Sequence, residues 1–155
     1  LFGVPHYFFM VTLYETDHLR ISYEPRLRLL ELQWLTEDVS AAEFREGYQQ
    51  ALLLAERHQT RAWLSDFRQV PTPAEAEMRW LAQHWYPRYV QLKLDKVAII
   101  RSANPAAQQA LARIVDLADA AGHTNRPVAQ YFDDPASARV WIRQPLVSGQ
   151  LPPAG

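Results

Sequence analysis

The sequence predicts an α/β fold: a mixed, largely parallel sheet that opens on an N-terminal antiparallel hairpin and carries about four helices. Two observations predict it. The first is a change of period. Up to Trp34 the apolar residues alternate, as on half-buried strands, whereas from Ser40 onward 3.6-residue helical repeats take turns with short apolar runs. The second is the length of the links. Glu24-Pro25-Arg26 is too short for a crossover, so the strands it joins run antiparallel. Each later pair of strands is separated by a helix, as a parallel pair requires.

Residues 7–14 are rich in β-branched and aromatic side chains and read as the first strand. Glu15-Thr16-Asp17 turns the chain. Residues 18–23 alternate, with Leu19, Ile21 and Tyr23 on one face. Residues 27–35 form the third strand, with Leu30, Leu32 and Trp34 sharing a face. Ser40 and Glu43 make a capping box for a helix over 40–59. Its buried stripe is Phe44, Tyr48, Ala51, Leu52 and Ala55. Ala62, Trp63 and Leu64 form a buried strand, with Ser65 inside it and Asp66, Phe67 and Arg68 at its end. Thr72 as N-cap, Pro73 at N1 and Glu75 at N3 predict the start of the second helix. That helix has a stripe of Met78, Leu81, Ala82, Trp85 and Tyr89. Pro87 should kink or end it. Residues 96–102 are a strand buried on both faces. Asn104-Pro105 opens a third helix lined by Ala107, Leu111, Ile114, Val115 and Ala118, with Gly122 as its C′ residue. Val128–Phe132 is the last strand, and Asp134-Pro135 opens a final helix reaching Arg143.

The 155 residues suit one domain, placed at 10–144. Residues 1–9 are apolar, lack a basic leader pattern and precede Met10, and read as an N-terminal extension. Residues 145–155 read as a flexible C-terminal tail. Net charge is −1, and 14 of the 16 basic residues are arginine, so no global basic field invites nucleic acid or an anionic membrane. No apolar run approaches the ~20 residues of a membrane span. Without cysteine there is no disulfide, thiolate nucleophile or Cys-based metal site, a composition that fits the cytoplasm.

Several residues bear chemistry. Asp66 and Arg68 end the central strand, and Thr72 stands at the helix start beyond it. Arg101, Ser102 and Asn104 end the neighbouring strand in the same layer. Together they could hold an anionic or polar ligand at the strand C-terminal ends, where ligands dock in open α/β sheets. The plainer reading is an ion pair plus helix caps that fix the loops; Asp133 and Asp134 belong to the same layer, and Asp134 is already an N-cap. His6, His18, His58, His84 and His123 are scattered, with no metal-ligand spacing. The G-x-S-x-G elbow, the phosphate loop and the dinucleotide fingerprint are missing, so no catalytic residue, metal or cofactor is expected. Trp80, His84 and Arg88, at i, i+4 and i+8, form a second stripe suited to a partner interface, or to a helix sandwiched within the fold.

The chain also resembles the STAS domain, the fold of bacterial anti-sigma-factor antagonists, and small STAS-like bacterial proteins. The segments that carry the likeness are ISYEP, SAAEFREGYQQAL, AWLSDFR and YFDDPASARVWI, in order over residues 11–143. The resemblance implies a non-enzymatic regulatory or protein-interaction module, acting on a protein partner or as a homodimer. Phosphorylatable members carry a serine in a D-S-S-G-like run at the helix start after the central strand. That run is missing here, and Thr72 is the hydroxyl nearest the position. The alternative expectation is a small-ligand or lipid-binding domain with a pocket at the strand C-terminal ends. An enzyme working through Asp66 and Arg68 is the third.

Overall fold

In the computed structural model, six strands form one mixed sheet whose spatial order is the chain order. They are β1 (Val11–Glu15), β2 (Leu19–Glu24), β3 (Leu29–Trp34), β4 (Ala62–Asp66), β5 (Lys96–Ile100) and β6 (Val128–Phe132). β1, β2 and β3 pair antiparallel, and β3 to β6 pair parallel. The helices are α1 (Ala41–Arg57), α2 (Glu75–Trp80), α3 (Tyr86–Val90), α4 (Pro105–Ala120) and α5 (Pro135–Arg143). A π-helical turn, Leu81–Trp85, joins α2 to α3. The structure describes residues 9–122 and 127–145; the expectations for Tyr7, His6, His123 and most of the two terminal segments lie outside them.

Each parallel strand is added on the same side of its predecessor. Right-handed crossovers that always step the same way put their helices on the same face. Accordingly α1, the α2–α3 segment and α4 share one face, packing on Ile21, Leu32, Trp34, Trp63 and Val97. Among the described residues only α5 covers the other face, where Ala138, Trp141 and Ile142 meet Leu29, Leu64 and Ile100. Trp34 and Trp63 are fully buried in the first layer, and truncating such a side chain costs about 3–5 kcal/mol. α1 sits close to the sheet because Gly47 faces it: a Cβ there would come within 2.7 Å of Leu19 and 3.0 Å of Trp34.

The capping box of Ser40 and Glu43 forms as the spacing predicts, and Asn104 and Asp134 cap α4 and α5. The start of the second helix differs. Ala74 stays extended and is the N-cap, with no side-chain cap bond, so Thr72 and Pro73 lie before the helix. The Thr72 hydroxyl instead accepts a hydrogen bond from Asn104 Nδ2 at 3.4 Å. That contact ties the loop to α4. Met78 and Tyr89, expected in the buried stripe, are half-buried. β5 ends at Ile100, two residues early, because Ser102 turns to accept from the Asn104 N–H at 3.0 Å.

The break expected at Pro87 takes the form of the π turn. The Tyr86 N–H donates to the Leu81 carbonyl, an i to i+5 bond. Pro87 has no N–H, and its ring would clash with the carbonyl four residues back in a regular α-helix. One extra residue in the preceding turn lets the helix continue through it.

Candidate functional site

The packing of α4 creates the site. Its fully buried positions are the small residues Ala107, Ala110 and Ala118, while Leu111, Ile114 and Val115 are only half-buried. The helix leans mainly on α2 and the π turn rather than on the strands. On the same face, Ala129 and Tyr131 of β6 stay exposed, Tyr131 by 47%. A cleft of about 260 Å³ remains between α4 and the sheet.

Its floor is Trp63, Ser65, Val97, Ile99, Ala129 and Tyr131; Leu111, Ile114 and Val115 of α4 face Trp85, Tyr86 and Tyr89 across it. No charged residue lines it among those described. The rings are fixed by one another. Trp85 and Tyr89 stack at 4.8 Å, and Trp63 meets them edge-on at 5.9 and 5.4 Å. Trp85 Nε1 donates to the Tyr48 carbonyl at 2.7 Å, and Trp63 Nε1 donates to Ser65 Oγ at 2.9 Å. Burial pushes the Tyr89 phenol far above its usual value, so the hydroxyl stays neutral. A second compartment of about 350 Å³ adjoins toward the strand C-terminal ends, sharing Phe67, Ile99, Leu111, Val115 and Tyr131. It adds the polar side chains of Arg101, Ser102, Gln108 and Asp116.

The six residues expected to bind at the strand ends do not converge. Arg101 and Ser102 border the second compartment. Arg101 also pairs with Asp133 at 3.2 Å and lies 5.4 Å from the Tyr131 ring. Asn104 is engaged as the cap of α4, and Thr72 is bonded to it. Asp66 and Arg68 belong to the opposite face, because alternation along β4 points Ser65 at the helices and Asp66 at α5. There the Asp66 carboxylate takes Arg68 Nε at 3.0 Å, Nη2 at 2.6 Å and the Arg68 backbone N–H at 3.2 Å. These bonds raise the Arg68 pKa further. Beside them, Arg139 of α5 grips Glu31 with two bonds of 2.7 Å.

The Trp80, His84 and Arg88 stripe is interrupted by the π turn, whose extra residue shifts the helical register. Two of its members turn to α1: Arg45 lies 5.3 Å from the Trp80 ring, and Arg88 pairs with Glu56 at 2.6 Å. His84 is exposed. Among the described residues, no cluster of His, Asp or Glu is placed to hold a metal ion, and no helix is long and apolar enough to cross a membrane.

The cleft escaped the sequence reading, although one signal was present. Trp63 and Ser65 are two apart on a strand, so a hydroxyl shares the face of a buried tryptophan. Comparison with protein families, with curated proteins and with solved structures finds no match for this chain, so its site is read from its own geometry.

Proposed function

We propose that this chain is a non-enzymatic binding module that takes a small apolar ring compound in the cleft between α4 and the sheet. The observation that supports the reading is a wall of fixed aromatic rings around about 260 Å³ of space with no charged lining residue among those described. Binding pockets are concave and mostly apolar, with a few placed polar groups, and those for drug-sized ligands begin near ~300 Å³. An apolar cavity of ~150 Å³ already holds benzene, so this one suits one or two fused rings. The regulatory side of the proposal comes from the STAS resemblance. A ligand filling the cleft would fix the seat of α4, and a protein partner or a second copy could read that helix. The proposal places the chain in the cytoplasm, a setting that the cysteine-free composition fits.

Naphthalene is a suitable probe. Calorimetric titration of the full chain should give saturable one-to-one binding. Ile114→Trp, which fills the cleft from the α4 side, should abolish it while leaving the far-ultraviolet circular dichroism unchanged. Absence of saturable binding, or equal binding by Ile114→Trp, would remove this reading.

A further inference from the structure

We infer that Ser65 selects the ligand of this cleft, and that the ligand is a neutral ring compound carrying a single hydrogen-bond acceptor, such as a ketone or ether oxygen. The inference rests on the reading of the cleft as a ligand site and names its specificity.

Ser65 is 6% exposed and lies on the cleft floor, between Leu32 of β3 and Ile99 of β5 in register. Its oxygen accepts the Trp63 indole N–H at 2.9 Å. The Trp63 ring cannot swing away, because Trp85 and Tyr89 hold it edge-on. One lone pair of Ser65 is therefore committed, and its O–H is left to donate elsewhere. Among the described residues no acceptor takes that proton. A ligand entering the cleft displaces water from that hydroxyl, so one that brings no acceptor leaves the O–H unpaired and one that brings an acceptor does not. Among the described residues the lining offers no charged partner, so an ionised ligand would lose its hydration with nothing in return from them. Shape and apolar contact thus admit rings in general, and Ser65 ranks them by whether they bring an acceptor.

Three probes separate the claims: naphthalene, 2-acetylnaphthalene and 2-naphthoate. In the native chain, 2-acetylnaphthalene should bind about tenfold more tightly than naphthalene, and 2-naphthoate should not saturate. In Ser65→Ala, the ratio of the first two affinities should fall to about one. That variant also strands the Trp63 N–H, so both probes are compared within the same protein. Should it fail to fold, infrared spectroscopy of the native complex gives the answer, since a carbonyl bonded to Ser65 vibrates at lower frequency than one in hexane. If naphthalene binds but the tenfold preference is missing, survives in Ser65→Ala, or is accompanied by tight 2-naphthoate binding, Ser65 is not the selector and the cleft reading stands. An unshifted bound carbonyl would equally overturn the inference. If none of the probes binds, the cleft reading falls and takes this inference with it.

Discussion

Tyr48 stands where Trp34, Phe44 and Trp85 meet, with ring centroids 5.7, 5.0 and 5.3 Å away. Burial pushes its phenol up to about 12 from an ordinary 10.0. A group whose folded pKa is raised gives stability that is complete below the unfolded pKa and lost as pH climbs through the folded one. Two units correspond to about 3 kcal/mol. Urea unfolding should therefore show a loss of about that size between pH 10 and pH 12, to which Tyr89 adds in the same direction. Tyr48→Phe should flatten the curve, and an unchanged slope would show that the phenolate reaches water. At this scale the sequence was partly legible. Tyr48 and Trp85 were placed in the core from the helical repeat alone. Ser65 was placed in the strand but not on a cleft, because strand periodicity gives a face and cannot say whether that face is filled.

At the scale of elements, α5 is held by polar contacts along its length as well as by its apolar face. Asp134 caps its start. At its far end the Lys96 ammonium donates to the carbonyls of Trp141 and Gln144 and lies 4.8 Å from the Trp141 ring, as suits a cation at a helix C-terminus. Between them Arg139 clasps Glu31, whose side chain is only 10% exposed. Arg139→Ala would leave that carboxylate buried beside the Asp66–Arg68 pair, and should cost about 2–4 kcal/mol in a denaturant melt. Arg88→Ala removes a partner from Glu56 in an exposed pair and should cost under ~1 kcal/mol. Equal small losses would mean that Glu31 finds water when Arg139 is gone. The start of α5 was readable to the residue because Asp134-Pro135 is a local signal that nothing overrides. The start of α2 was not, since the Thr72 cap signal lost to a contact with Asn104, 32 residues away.

For the whole molecule, the order of the strands decides where a site can form. The doubly wound arrangement leaves a crevice where strand order reverses. Here the order never reverses, so Asp66 and Arg68 are not gathered with the residues that end β5, and the opening lies beside a displaced helix instead. Sequence order told which strands are parallel, but not that each new strand would be laid on the same side. That choice rests on side-chain packing over the full chain. It also grades stability across the sheet. β3 and β4 are buried on both faces, whereas β6 is an edge with three of its five residues exposed. Native-state hydrogen exchange should find β3 and β4 amides protected to the global limit and β6 and α4 amides exchanging through smaller openings. Uniform protection from β3 to β6 would refute the gradient.

The π turn can also be counted as backbone: one residue more than a regular helix needs between Trp80 and Tyr86. Taking that residue out would turn everything downstream by about 100° and draw it back by about 1.5 Å. Tyr86 and Tyr89 would swing off the wall they share with Trp85, and Pro87 would press on the Gln83 carbonyl. The width of the cleft is thus set by a surplus of one residue in a helix that supplies only one of its walls.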